Sequence, residues 1–80
     1  MPTSVVEFNS SAVDVQIDSS LLRVSLADGR EVAAPLECFP RLRDATPAQR
    51  DRWELIGGGY GIHWEEIDED ISVPSLLRRN

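Results

Sequence analysis

The sequence predicts an α+β fold: a small antiparallel sheet of three or four strands with two or three short helices packed on it. Three observations carry that prediction. Apolar and polar residues alternate through positions 13–18 and again through 22–26, the two-residue period of half-buried strands. Asp28-Gly29 follows the second of these runs, and that dipeptide is the strongest short hairpin signal in the chain. Thr46-Pro47-Ala48-Gln49 has the form of a helix start, with Thr as N-cap, Pro at the first helical position and Gln at the third.

Taken in order, residues 1–11 are polar and Ser-rich and are expected to be loose. In the first strand Val13, Val15 and Ile17 should face the core, with Asp14, Gln16 and Asp18 outward. Ser19-Ser20 makes a tight turn. Leu22, Val24 and Leu26 form the buried side of the second strand. A two-residue turn at Asp28-Gly29 leads into a third strand over residues 30–35, with Val32 and Ala34 inward, completing a meander. Pro35 ends the sheet run. Phe39, Leu42 and Ala45 recur at helical spacing, with Pro40 acceptable in the first turn. The capped helix is predicted over residues 47–55, burying Trp53 and turning Arg50 and Arg52 outward. A fourth strand follows at 62–65, where Ile62 and Trp64 face the core and His63 and Glu65 face out. Ser72 caps a last helix over 74–79. Leu76 and Leu77 dock it, and Arg78 and Arg79 suit the negative end of its dipole. No repeat or linker divides the 80 residues, which read as one domain.

Composition narrows the function. The formal charge is −6, from 14 acids against 8 bases, and all the bases are Arg. Phosphate-backbone binding is driven by Lys and Arg contacts, so this chain is not predicted to bind nucleic acid directly. Charge is uneven: residues 36–53 hold four Arg against three acids, whereas 54–80 hold six acids against two Arg. Cys38 is the single cysteine, which excludes an intramolecular disulfide, and it reads as a small packed residue. There is no charged leader followed by an apolar run, and no apolar stretch long enough to span a bilayer. The expected location is therefore cytoplasmic, with no membrane partner. At this length the stability margin is thin, which is compatible with homo-oligomerisation.

The polar chemistry gathers in residues 57–70, GGGYGIHWEEIDED. Gly57, Gly58, Gly59 and Gly61 would suit a phosphate cradle only with a following Lys and Ser or Thr, or a dinucleotide-binding spacing. Instead Glu65 and Glu66 follow, whose charge repels phosphate, so the glycines read as a turn. His63 has no nucleophile tied to it: neither a Ser nor Cys38 is placed beside it by any motif. Asp68 and Asp70 lack the remaining ligands of a calcium loop, so no metal site and no cofactor is predicted. A carboxylate acid/base pair would need one member in an apolar pocket, and this cluster reads as solvated. The remaining reading is an acidic surface for a basic protein.

Several motifs then resemble a known pattern. These are Leu26-Ala27-Asp28-Gly29-Arg30; Phe39-Pro40-Arg41-Leu42 with Ala45-Thr46; Gln49-Arg50 with Trp53; and Gly61-Ile62-His63-Trp64 followed by Ile67-Asp68-Glu69-Asp70-Ile71, closed by Leu76-Leu77. Together they resemble the small bacterial family catalogued as domain of unknown function 2442, over residues 13–77. The resemblance implies a small antiparallel α+β fold without established catalytic residues. It also implies operons shared with another small uncharacterised family, domain of unknown function 4160, in a layout like that of toxin–antitoxin pairs. Some relatives carry a helix-turn-helix domain after this module, for which these 80 residues leave no room.

The resulting expectation is a non-enzymatic, antitoxin-like protein–protein interaction module. Its partner would be a small basic protein, such as an operon neighbour, bound through Tyr60, His63, Glu65, Glu66, Asp68, Glu69 and Asp70, with Trp64 as a core anchor beneath. Two alternatives belong to other classes. One is a small metal-dependent or acid/base enzyme using His63 and the nearby carboxylates. The other is a ligand-sensing regulatory module that acts with a separate DNA-binding protein.

Overall fold

The structure is a computed structural model that describes residues 9–79. Of the segment expected to be loose, residues 1–11, positions 1–8 lie outside these. Residues 9–11 are tied down: Ser11 O accepts from Ala27 N, and Asn9 O accepts from Asp28 N. The first sheet is the expected meander, β1 (Ala12–Ile17), β2 (Leu21–Leu26) and β3 (Glu31–Pro35), antiparallel in that order. Its register places Val15, Val24 and Val32 in one cross-strand row on the buried face. The first turn is held by the Asp18 carboxylate, which accepts from Ser20 N and Leu21 N at 2.8 Å each. Those two amides hold its pKa below the ordinary value. The hairpin at Asp28-Gly29 forms, although its loop has three residues instead of two. Leu26 O accepts from Gly29 N, Leu26 N donates to Arg30 O, and Gly29 takes φ 93°. A type I turn closed by a left-handed glycine is the usual three-residue solution.

One face assignment in β1 is corrected. Val13 is exposed, and the buried residues are Ala12 and Val15. The register with β2 shifts between Ala12 and Asp14, a bulge that adds one residue and turns Val13 outward. A period-two reading has no means of counting that extra residue.

After β3 the chain makes a 3-10 turn (Leu36–Cys38), then α1 (Pro40–Arg43) and α2 (Pro47–Arg50). Leu36, Phe39 and Leu42 are buried, but Cys38 is exposed and is not the packed residue expected. The capping box is complete: Thr46 Oγ1 accepts from Gln49 N, and Thr46 N donates to Gln49 Oε1. The helix it starts is nevertheless one turn long and does not reach residue 55. Arg50 does not point outward either. Its guanidinium donates to the carbonyls of Leu42 and Arg43 and so closes the end of α1.

Residues 53–56 instead form β4 (Trp53–Ile56), which pairs with β5 (Gly61–Trp64), and β5 pairs with β6 (Glu69–Ser72). The α+β class with antiparallel strands and short helices thus stands; the described residues form three short α-helices and six strands in two three-stranded sheets. Trp53, Leu55 and Ile56 are aromatic or apolar residues that fit a pleated surface, and pairing opposite Trp64 and Ile62 outweighs the weak helix preference that follows the cap. The last helix, α3 (Val73–Arg79), is capped as expected, with Ser72 Oγ accepting from Ser75 N. Leu76 is buried under it, whereas Leu77 is exposed and does not dock the helix as expected.

Both sheets and the segment between them share one core. Leu22, Val24 and Ala34 come from the first sheet, Leu36 and Leu42 from the connection, and Ile62, Trp64 and Ile71 from the second; Val73 and Leu76 complete it. Trp64 lies at its centre, 1 % exposed, with its indole N–H donating to Arg50 O. Among the described residues no helix is long and apolar enough to cross a membrane.

Candidate functional site: the outer face of the second sheet

The glycine run makes the turn between β4 and β5. Gly57, Gly58 and Gly59 all have positive φ (59°, 65° and 95°), a conformation that side chains resist. At Gly59 there is a second reason for glycine. A Cβ there would lie 2.6 Å from Ala12 O, so the turn is pressed against the start of β1.

Alternation along three paired strands then sorts the side chains. Trp53, Leu55, Ile62, Trp64 and Ile71 belong to the core side. On the outer side Glu54, His63 and Asp70 lie directly opposite one another across β4, β5 and β6, and Ile56, Gly61 and Ser72 form the next row. Glu65, two residues beyond His63, returns to the same side. The expected orientations of Ile62, His63, Trp64 and Glu65 are all observed.

His63 is the hub of this face. Its Nδ1 is 2.5 Å from Asp70 Oδ1 and its Nε2 is 2.8 Å from Glu65 Oε1, with the imidazole side chain 20 % exposed. Glu65 first, and Asp70 with it, raise the His63 pKa to about 9 by bonding to and attracting the charged form. At neutral pH the ring is therefore an imidazolium that donates from both nitrogens. Glu54 adds a third carboxylate, and Glu54, His63 and Glu65 bring one donor atom each within 4.8 Å of one another.

Of the residues predicted for docking, His63, Glu65 and Asp70 meet here. The others do not. Glu66 accepts from Arg52 Nη1 at 2.6 Å, and Arg41 donates to the Asp68 carbonyl while its guanidinium lies 3.9 Å from the Asp68 carboxylate. Both sit in the 65–68 turn, where Asp68 takes φ 52°. The Glu69 side chain bonds to Asp70 N, and residue 69 stands opposite Trp64. Tyr60 is 62 % exposed, at the opposite end of β5 from Glu65, about 16 Å away along an extended strand. Glu54 was missed because a helix was predicted over it. The signal that could have revealed it is the near-symmetry of WELI and GIHW about the glycine run, which has the look of a hairpin.

This arrangement defines a small α+β module whose second sheet offers an open polar face. The chain belongs to the family described as "Protein of unknown function (DUF2442)", whose model matches residues 12–80. It is similar to a protein of unknown function from Rhodospirillum rubrum ATCC 11170. That protein's crystal structure at 2.75 Å matches with TM-score 0.74 and 34 % sequence identity, over 86 % of each chain. No curated protein matches.

Proposed function

We propose that the chain is a non-enzymatic, antitoxin-like interaction module of the bacterial cytoplasm that docks a small basic protein on the outer face of its second sheet. The observation that carries this reading is the disposition of Glu54, Glu65 and Asp70. All three are exposed on one side of a rigid sheet, around a single imidazolium, with exposed Ile56 in the adjacent row. The face keeps an excess of negative charge after His63 is counted. Such a field steers a basic protein and raises its encounter rate more than its final affinity. An open face of this kind suits a macromolecule better than a small ligand, which binds in concave sites. Glu66 and Asp68 contribute less, since Arg52 and Arg41 already offset them. Exposed Tyr60, in the turn just before β5, would anchor a partner that reaches past the face to the glycine turn.

The test is binding kinetics across a salt series against the product of the neighbouring operon gene. Glu54→Lys with Glu65→Lys should slow association and flatten its salt dependence, while Tyr60→Ala should act mainly on dissociation. An association rate and salt slope untouched by the double reversal would remove this face from the docking surface.

A further inference from the structure

We propose that Glu54, His63 and Glu65 form a binding site for a divalent transition-metal cation of the zinc class, with Asp70 orienting the imidazole from behind. This inference goes beyond the docking reading and does not depend on it.

One imidazole nitrogen and two carboxylates is a mixed set that suits zinc-like ions, unlike the oxygen-only sets that hold calcium or magnesium. The set comes from separate parts of the chain: Glu54 from β4, His63 from the middle of β5 and Glu65 from just past its end. The β4 and β5 register places Glu54 directly opposite His63, so the pairing of the strands creates the juxtaposition. The imidazole is also oriented as a metal ligand would be. Asp70 Oδ1 occupies the Nδ1 side at 2.5 Å and leaves Nε2 facing Glu65 Oε1 at 2.8 Å, and a Glu54 oxygen lies within 4.8 Å of a His63 ring nitrogen and a Glu65 oxygen. A carboxylate on the far nitrogen is the usual outer support of a metal-bound histidine.

Geometry and charge agree with this. Ligand bonds of about 2.0–2.2 Å put neighbouring donors on a tetrahedral ion about 3.4 Å apart. The three donor atoms already lie within 4.8 Å of one another, both Glu side chains are exposed, and the hydrogen bond from His63 Nε2 to Glu65 is the one contact a metal would replace. Three carboxylates surround one imidazole, so a dication offsets charge that a single proton leaves uncompensated. On binding, the Nε2 proton leaves to solvent and its lone pair passes to the metal, with Nδ1–H retained by Asp70. Three protein ligands leave the fourth position to water.

The experiment uses Zn²⁺ and Co²⁺ with the full chain. All variants are built on Cys38→Ser, because that exposed thiol is a competing ligand. Calorimetry should show one saturable equivalent of Zn²⁺, and Co²⁺ should give the visible bands of a four- or five-coordinate ion. Glu54→Gln and Glu65→Gln should each weaken binding at least about tenfold, and Asp70→Asn should weaken it by about 10–100-fold, the range seen for outer-support residues. Glu66→Gln, on the carboxylate held by Arg52, should leave it unchanged. Thermal melts of the apo variants establish that the fold is kept. Absence of saturable binding up to millimolar metal overturns the proposal. So does binding that survives both Glu54→Gln and Glu65→Gln. Neither result bears on the kinetics with a partner protein.

Discussion

His63 sets a pH dependence that can be read from its bonds. Folding places it between Glu65 and Asp70, so its pKa rises from the ordinary 6.5 to about 9. The folded state therefore binds this proton more tightly than the unfolded chain does. Its stabilising contribution is complete below pH 6.5 and is lost as pH rises through about 9. Urea denaturation at a series of pH values should show stability falling across that window, and His63→Gln should remove that component of the slope. Equal slopes in the two proteins would mean that the ion pairs do not form in solution. Gly58 and Gly59 offer a second test at this scale. Both have positive φ, but a Cβ on Gly58 meets nothing within 4 Å, whereas on Gly59 it meets the backbone of Ala12. Gly58→Ala should cost roughly 1–2 kcal/mol, from the left-handed conformation alone. Gly59→Ala should cost about 1–3 kcal/mol more, since β1 must shift to admit the methyl group. Equal losses in chemical denaturation would show that the turn does not press on β1.

At the scale of elements, the bulge in β1 separates two valines that look equivalent in the sequence. Val15 is buried in a row with Val24 and Val32, and Val13 stands 53 % exposed. Val15→Ala should cost roughly 2 kcal/mol, from about 0.8 kcal/mol per buried methylene plus a cavity term. Val13→Ala should stay within about 0.5 kcal/mol. The reverse order would restore simple alternation and remove the bulge. The connection between the sheets shows the opposite balance of legibility. Its capping box is a relation between Thr46 and Gln49 and was readable directly, yet the helix it starts stops at Arg50. A cap satisfies the first amides of a helix and carries no information about its length. Length here was decided by the edge of β5, which drew residues 53–56 into a sheet.

Across the molecule, the two sheets have no core apart from the shared one. Trp64 is held from α2 by its indole hydrogen bond and is packed among residues of both sheets and their connection. The chain should therefore unfold in one transition. Both tryptophans lie in the second sheet, so their fluorescence reports that half, while far-UV circular dichroism reports both. The two urea curves should coincide. A separate earlier or later fluorescence transition would show that the sheets are independent units. The charge distribution also changes at this scale. The basic segment and the acidic turn, distinct along the chain, face each other in space through the contacts of Arg52 with Glu66 and Arg41 with Asp68. These pairs are exposed, and each is worth no more than about 1 kcal/mol, so their main effect is on the surface potential a partner meets.

What was legible without coordinates is whatever depends on near neighbours along the chain. The alternation in β2 and β3, the left-handed glycine of the hairpin, the Thr46 cap, the Ser72 cap and the opposite facing of His63 and Trp64 are relations among residues one to four apart. Backbone geometry alone ties such residues to a common face or turn. The bulge at Val13, the strand at 53–56, the arrival of Glu54 beside His63 and the neutralisation of Glu66 and Asp68 are relations across longer separations. A strand's identity and register come from the partner it pairs with and the face it buries, and its own propensity decides little against that. For this reason His63 could be singled out in advance, while the row of carboxylates around it appeared only when three strands were laid side by side.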